Sequence, residues 1–500
     1  MSNLENKSIK PSKQLRSKAL EFLSNRKKNA ILTEIIHHLD TGSDVPSCLL
    51  SIEMIFTTLL KDRCMYIEII PLKPIERTAE NEYKIWLLNT YEECFSKVLD
   101  CLDSNSNKIQ TQGLTTAIAL LTSEGKYPLE TRSSSDQCYI PLNKLKSVLL
   151  KLLSSENNNM QLINKYTEYI LYNDILFNTW KLLPSLTQKM SNPSDVYIEN
   201  YLNLLEKMQV YQNAEEKLLC GNEGTTFHFD ENVAKKVLNK IWNCVMQWKH
   251  SKKSHKQVLI VLLERVLPHL EKPLFLTDFL MDSLDAGGPV SLLALQGIFT
   301  MIQVHNLNYP DVFTKIYSMF EPEIFHTKYK ARLFYLSDLF LSSTHLPENL
   351  VAAFVKRLAR LALIAPPEDI LVICMFIGNL ILRHPGLKCL LNRVSSTNPN
   401  IDPYIMEESD PIKSNAINSS LWEIQTLQQH TLPSVARAAS FINNPLPPTE
   451  WDITKHLDNT GESLFDKEIK KFSKLVVLAF EKPNGAALNR GEKILHYWNI

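Results

Sequence analysis

Residues 286–367, AGGPVSLLALQGIFTMIQVHNLNYPDVFTKIYSMFEPEIFHTKYKARLFYLSDLFLSSTHLPENLVAAFVKRLARLALIAPP, determine the fold class of this chain. Helix-breaking residues divide the stretch, because proline is tolerated in the first turn of a helix and disruptive inside it. The dividing positions are 287–289, 306–310, 321–322, 346–348 and 366–367. The stretch is therefore predicted to form four consecutive helices.

The last two of these helices differ in how their apolar residues are distributed. The third, predicted over residues 327–342, is apolar nearly all round and is expected to be buried between other helices. The fourth is apolar on one face, and Lys356, Arg357 and Arg360 fall in a sector of roughly 100° on the opposite face. We therefore expect a helical layer with a positively charged outer surface.

A second group of cations lies at the start of the third helix. Its members are His326, Lys328, Lys330 and Arg332. The helix macrodipole disfavours cations at this end, which suggests that a phosphate or a partner carboxylate is supplied from outside. The alternative is neutralisation by flanking glutamates such as Glu321 and Glu323. Together with the three cations of the fourth helix, this group is the candidate contact surface for a protein or RNA partner.

Two blocks of sequence carry a family resemblance. The first is HTKYKARLFYLSDLFLSSTHLP at 326–347, followed by LVAAFVKRLARLALIAPP at 350–367. The second contains DPY at 402–404, ESDP at 408–411, SSLWE at 419–423 and His430. Both blocks resemble the CCAAT-binding-factor domain of the nucleolar complex proteins, and the resemblance is specific over residues 290–442.

This resemblance implies a non-enzymatic scaffold or assembly factor of ribosome biogenesis in the nucleus and nucleolus. It further implies 18S rRNA processing and small-subunit maturation within the small-subunit processome. The implied partners are a nucleolar protein 14-like protein, other processome proteins and, by peripheral contacts, pre-ribosomal RNA. The domain's name also allows another class, a DNA-binding transcriptional regulator of the CCAAT-binding type. The sequence shows no helix-turn-helix or zipper pattern that would favour this alternative.

Composition and motifs restrict the function further. Lys+Arg and Asp+Glu both total 54, and this zero net charge disfavours a protein that binds nucleic acid by itself. None of the 9 cysteines forms a CxxC pair, so neither a zinc site nor a disulfide framework is predicted. The sequence has no GxxxxGK[ST], GxGxxG, HExxH or GxSxG motif, and we expect no enzymatic activity, cofactor or metal.

The uncharged run ILVICMFIGNLIL at 370–382 could be mistaken for a membrane segment. A membrane span needs about 20 residues, and this run is about seven residues shorter. Charged residues and a proline pair border it on the N-terminal side, and Arg383 and His384 follow it. We interpret the run as a buried helix and do not expect contact with a membrane.

From residue 227 to residue 391, helices recur in pairs at intervals of about 40 residues without a strict consensus, which is typical of HEAT and armadillo arrays. The predicted fold is an all-α, HEAT/armadillo-like helical-repeat solenoid with an irregular N-terminal helical region. Five segments are expected: a basic, partly disordered arm (1–28), the N-terminal helical region (29–225), the helical-repeat core (226–392), an acidic extended linker (393–414), and C-terminal helices with a tail (415–500).

Several local predictions in these segments can be compared with a structure. The arm at 1–28 is either a solvated leader or a basic contact for RNA or an acidic partner. Periodicity predicts one helix over 160–183 that Pro184 ends, and loops at 104–112, 131–137 and 154–159. In the linker, residues 404–406 are apolar enough to dock either across the array or onto a partner. The run at 467–474 is either a solvated charged helix or a basic contact.

Overall fold

The computed structural model describes residues 11–475, apart from 27, 41–43, 68–77, 131–137, 189, 191, 212–216, 222–226, 271–272, 306–308, 310 and 393–401. The described residues form helices joined by turns and contain no β-strand, which confirms the all-α class. The chain divides into two compact units, Met1–Gly297 and Ile298–Ile500.

The described residues of the first unit contain twelve α-helices and the start of a thirteenth. They are α1 (Pro11–Ser24), α2 (Asn29–Asp40), α3 (Val45–Lys61), α4 (Ala79–Asp100), α5 (Asn107–Lys126), α6 (Leu142–Leu152), α7 (Met160–Ile170), α8 (Asn173–Thr187), α9 (Asp195–Lys207), α10 (Glu231–Val245), α11 (Lys252–Val261), α12 (Thr277–Asp285) and α13 (Gly288–His305), which contains the division between the units.

These helices stack in two layers. In one layer α3 packs on α5, α5 on α7, α7 on α9 and α9 on α11. In the other layer α4 packs on α6, α6 on α8 and α8 on α10. Contact between each helix and its second neighbour along the chain is the arrangement of HEAT- and armadillo-like solenoids. This second-neighbour stacking is already present in the N-terminal region, where α1 packs on α3.

Helix α10 shows how the local sequence produces this stacking. Asp230 precedes the helix, and its carboxylate accepts hydrogen bonds from the backbone N–H groups of Asn232 and Val233. One side of the helix is apolar and is buried, as the periodicity predicts; it carries Ala234, Leu238, Ile241 and Val245. Because α10 packs on α8, the helices on both sides of residue 225 belong to the same unit. The units divide at 297/298 instead of the predicted 225/226.

Three predictions for the first unit are wrong. Residues 11–24 of the arm, which was predicted to be solvated and partly disordered, form α1, which buries Leu15, Ala19 and Phe22 and packs on α3. The predicted loop at 104–112 is helical from Asn107 onward, because its polar side chains occupy the more exposed positions of α5. The predicted single helix at 160–183 consists of α7 and α8, and Pro184 lies within α8.

The division between α7 and α8 has a visible cause. Asp174 is buried, and its carboxylate accepts hydrogen bonds from the backbone N–H groups of Leu219 and Cys220. Residues 171–172 therefore form a turn that places this carboxylate against another part of the chain. Pro184 is compatible with α8 because only its last turn follows. The predicted loop at 154–159 is confirmed, whereas residues 1–10 and 131–137 lie outside the described residues.

The second unit contains the remaining helices. They are α14 (Asp311–Met319), α15 (Lys330–Phe340), α16 (Glu348–Ala362), α17 (Pro367–Arg383), α18 (Cys389–Asn392), α19 (Trp422–Leu427), α20 (Pro433–Ala439), α21 (Thr454–Leu457) and α22 (Gly461–Leu475). Its core contains a series of aromatic ring contacts in which Phe320 packs on Phe334 and Phe354, and Phe334 packs on Phe376. These contacts connect the end of α14 to α15, α16 and α17.

Helix α17 includes the uncharged run at 370–382. It contacts α16, α20, α21 and α22, and nearly every side chain in the run is buried, which confirms the predicted buried helix. No single helix of the described residues is long and apolar enough to span a membrane. Only the pair Pro367–Arg383 and Pro385–Leu391, bent by 118°, reaches the required length and composition among those residues.

Helix α15 is less completely buried than its composition predicts. Leu333, Phe334 and Phe340 are buried, but Arg332 is exposed and Tyr335 retains 46% of its accessible surface. The prediction that this helix is buried between other helices is therefore wrong at Tyr335. The aromatic contacts of Phe334 occupy one side of α15, while Tyr335 lies on an open edge.

Candidate functional site

Helix α16 carries three of the predicted contact residues, and the chain itself covers them. We call residues 402–423, which precede and enter α19, the strap. The strap lies against the side of α16 that the sequence predicts to face solvent. Lys356 is fully buried there, and Arg357 and Arg360 are partly buried. The positively charged outer surface predicted for this helix is therefore wrong.

Lys356 is the centre of an ion cluster. Its Nζ lies 2.8 Å from Asp402 Oδ2 and 2.6 Å from Glu423 Oε1. It also donates a hydrogen bond of 2.6 Å to the backbone carbonyl of Ser420. All three of these acceptors belong to the strap, so the single buried ammonium holds both ends of the strap on α16.

Arg360, one helical turn further along α16, faces the same two carboxylates. Its Nη2 donates to Asp402 Oδ2 at 2.7 Å, and its Nε lies 2.8 Å from Glu423 Oε1. The guanidinium also lies 4.7 Å from the ring centre of Trp422, within the range of a cation–π contact. With two cations and two carboxylates, the cluster is balanced in charge within the chain.

The environments of the two carboxylates shift their pKa values in opposite directions. Burial acts to raise the pKa of Asp402, but hydrogen bonds from Lys356, Ser419 and Trp422 outweigh it and hold this pKa well below its ordinary value. For Glu423 burial dominates and raises the pKa, although Lys356 and Arg360 oppose the shift. Asp402 is therefore the carboxylate whose charge the folded strap stabilises most.

Arg357 fixes the strap at a second place. Its Nε donates to the carbonyl of Phe320 at 2.7 Å, and its Nη1 donates to the carbonyl of Met406 at 3.0 Å. Beside it the hydroxyls of Tyr317 and Tyr404 form a buried hydrogen bond of 2.7 Å. Of the two alternatives for residues 404–406, docking across the helical array is confirmed for Tyr404.

The predicted group at the start of α15 is only partly available to a partner. Lys330 Nζ pairs with Asp369 Oδ2 at 2.8 Å, and Asp369 is buried in the first turn of α17. Burial raises the pKa of Asp369, with Lys330 opposing the shift. The carboxylate that pairs with Lys330 thus comes from α17 and not from a flanking glutamate. His326, Lys328 and Arg332 are exposed.

Sequence reasoning missed the acidic partners of α16, namely Asp402 and Glu423, together with Trp422. Both carboxylates lie in the second block of the family resemblance, but nothing in their spacing links them to α16 across more than 40 residues. The available signal was the excess of cations on one face of an otherwise apolar helix, which requires neutralising groups if the face is buried.

The described residues contain no group of three or more His, Cys, Asp or Glu side chains that could hold a metal ion. The ion cluster is also closed: its carboxylates and cations contact one another and the strap backbone. The role that this geometry supports is structural: the cluster holds the strap on α16.

Comparison with known proteins identifies the family. Residues 291–439, which include α16 and the strap, match the model of the CBF/Mak21 family. Nucleolar complex protein 4 homolog B of Xenopus laevis is 39% identical over 490 residues, covering 94% of this chain and 93% of the relative. The chain belongs to the nucleolar complex protein 4 family. The homolog of Danio rerio is 34% identical over 95% of this chain and 94% of its own length.

The human nucleolar complex protein 4 homolog is 34% identical over 83% of this chain and 83% of its own length. The resemblance stated for residues 290–442 is confirmed, and the similarity extends into the N-terminal region, where periodicity was the only guide. Membership of the nucleolar complex protein 4 family places this chain in the nucleolus and in ribosome biogenesis.

Proposed function

We propose that this chain is a non-enzymatic scaffold that supports small-subunit maturation and 18S rRNA processing within the small-subunit processome. Similarity to nucleolar complex protein 4 homologs over nearly the whole chain carries the proposal. The architecture supports it, because stacked helices expose long surfaces and the buried charges of α16 are neutralised internally. A nucleolar protein 14-like protein is the proposed direct partner.

For the second unit, we propose that His326, Lys328 and Arg332 form part of the surface that the partner contacts. All three side chains are exposed at or just before the start of α15, whereas Lys330 is partly buried. Cations at the start of a helix favour a partner that supplies carboxylates. The cations of α16 are excluded from this proposal because the strap covers them.

The proposed function is tested by purifying the tagged full-length chain from nuclear extract. The expected result is recovery of small-subunit pre-ribosomal RNA together with one protein in stoichiometric amount. Recovery of neither would contradict the scaffold. If the purified chain instead binds duplex DNA with sequence preference and recovers no pre-ribosomal RNA, the transcriptional regulator is the correct class.

The surface on α15 is tested by the triple variant His326→Glu, Lys328→Glu and Arg332→Glu. We expect the partner protein to be lost from the purified complex while the unfolding temperature stays within a few degrees of wild type, because these side chains are exposed. The control is Lys413→Glu with Lys455→Glu, which changes exposed lysines of the same unit. Equal retention of the partner by both variants would refute the surface.

A further inference from the structure

The net charge of this chain is zero, but its charged residues are distributed unevenly along the sequence. Residues 232–263 contain seven lysines and no aspartate or glutamate. The lysines are Lys235, Lys236, Lys240, Lys249, Lys252, Lys253 and Lys256. They lie on α10, on the turn that follows it, and on the first half of α11. A balanced total therefore does not exclude a local surface that attracts polyanions.

Four of these lysines are concentrated at one end of the α10–α11 hairpin, and we call them the basic corner: Lys249, Lys252, Lys253 and Lys256. All four side chains are exposed. Lys253 pairs with Glu199 of α9 at 2.7 Å, yet 80% of its own side chain stays accessible. The other three form no ion pair within the described part of the chain.

The position of the basic corner is electrostatically unfavourable for the isolated chain. Lys252 and Lys253 lie in the first turn of α11, which has no acidic residue, so both oppose the helix macrodipole. Lys252 and Lys256 are four residues apart on the same face, where like charges repel. Glu199 offsets the charge of Lys253, but Lys249, Lys252 and Lys256 have no ion-pair partner among the described residues, so the corner keeps a positive potential that an external anion would relieve.

The surrounding side chains indicate how such an anion would be bound. Trp242 and Trp248 on the same hairpin are buried, and His250 and His255 are partly buried. Burial lowers the pKa of both histidines, so they add little charge near neutral pH. Among the described residues of this hairpin, the corner therefore presents point charges and no exposed tryptophan ring on which a base could stack.

From these observations we propose that the basic corner binds the sugar-phosphate backbone of RNA without reading its sequence. Lysine ammonium groups contact phosphates as point charges, and such contacts position a protein on nucleic acid but do not specify bases. The inference rests on the proposed function for the identity of the RNA, since pre-ribosomal RNA is the polyanion available to a ribosome assembly factor. It places the RNA contact in the first unit, whereas the protein-contact residues proposed on α15 belong to the second unit.

The test compares the wild-type full chain with the triple variant Lys249→Gln, Lys252→Gln and Lys256→Gln, which keeps the Lys253–Glu199 pair. The probes are a fluorescent single-stranded RNA of about 20 nucleotides and an RNA hairpin, titrated at several salt concentrations. Each lost phosphate contact lowers the slope of log affinity against log salt by about 0.7 on single strands, so we expect a decrease of about 2. At a fixed salt concentration near 0.1 M we expect at least about tenfold weaker binding of both probes.

The matched control is Lys61→Gln, Lys108→Gln and Lys181→Gln, which removes the same charge from exposed positions of the first unit. It should retain the wild-type salt slope. Each single substitution at 249, 252 or 256 should lower the slope by about 0.7, which keeps the test valid if the triple variant unfolds. Equal slopes for the corner variant and the control would overturn the proposal, as would absence of RNA binding by the wild type. Loss of poly-glutamate binding with RNA binding unchanged would assign the corner to an acidic protein.

The test of RNA binding by the basic corner can fail or succeed independently of the test of the proposed scaffold function. If the purified chain does not bind RNA but still recovers pre-ribosomal RNA and a stoichiometric protein from nuclear extract, the inference fails and the scaffold stands. If the basic corner binds RNA in vitro while nuclear extract provides neither, the scaffold fails and the inference stands.

Discussion

Replacing Lys356 by methionine should release the strap from α16. Methionine has a side chain of similar length, so the apolar packing around the lysine stem is largely kept while the ammonium group is removed. The loss would leave Arg360 as the one remaining cation of the cluster, opposite Asp402 and the fully buried side chain of Glu423. The carbonyl of Ser420 would also lose its hydrogen bond from the ammonium group.

The size of the effect follows from the burial of the pair. Removing one partner of a buried ion pair lowers the free energy of unfolding by about 3–5 kcal/mol, because a charge is left without compensation. Arg360 still lies within 3 Å of both carboxylates, which places the expected loss near the lower limit, at about 3 kcal/mol. This energy corresponds to about a hundredfold increase in the opening equilibrium of the strap.

Hydrogen exchange measured by mass spectrometry reports this opening directly, in peptides from residues 402–423 and from α16. The matched control is Lys413→Met, since Lys413 lies in the same strap but is 74% exposed and pairs with Asp410 at 3.2 Å. This control should change the free energy by less than about 0.5 kcal/mol. Exchange in the Lys356→Met strap that is no faster than in the control would refute the structural role assigned to the cluster.

A double variant adds an independent check of the same reasoning. Lys356→Met combined with Glu423→Leu removes the buried charge together with its partner, and hydrophobic replacement of a buried pair is often neutral or stabilising. We therefore expect the double variant to be more stable than Lys356→Met alone. A double variant that is less stable by the sum of two single losses would show that the two side chains are not coupled.

Three further outcomes are expected. The folded strap lowers the pKa of Asp402, so the contribution of this carboxylate to the free energy of unfolding is complete above the unfolded pKa of about 3.9 and is lost as the pH falls below that value. In urea titrations, the stability difference between wild type and Asp402→Asn should therefore shrink from pH 5 to pH 2. A constant difference would contradict this. Tyr404→Phe removes the hydroxyl contact with Tyr317 and should cost about 1 kcal/mol in denaturant unfolding, with Tyr317→Phe adding little to it; full additivity would argue against a shared bond. Gly378→Ala places a Cβ against the Trp451 ring and should lower stability by about 1–3 kcal/mol, whereas an unchanged melting temperature would mean that the ring can move.

The fold class could be predicted because it depends on periodicity, which is local. The prolines that precede α16 and α17 and the apolar stripe of α10 are read within one helix, and the structure confirms them, whereas Pro184 lies inside α8. Boundaries were less predictable where polar residues occupy exposed helical positions, as in the first turns of α5. The separation of α7 from α8 depends on Asp174 accepting hydrogen bonds from residues 219 and 220, which no local pattern contains.

The candidate site shows the same limit more strongly. A helical wheel gives the direction in which the Lys356 side chain points from α16, but it does not show which part of the chain packs against that side. The neutralising carboxylates are supplied from residues 402 and 423, and only the folded chain shows that they reach Lys356. Conversely, the lysines of the basic corner were visible in the sequence, but the balanced net charge of the whole chain obscured them.

The proposal that this chain serves the small ribosomal subunit is tested most directly by rapid depletion of the protein, followed by pulse-labelling of new ribosomal RNA. The proposed function predicts that production of mature 18S rRNA falls within one labelling period, while the large-subunit rRNA made in the same cells continues at its previous rate. A selective fall in large-subunit rRNA, or unchanged production of both, would contradict it.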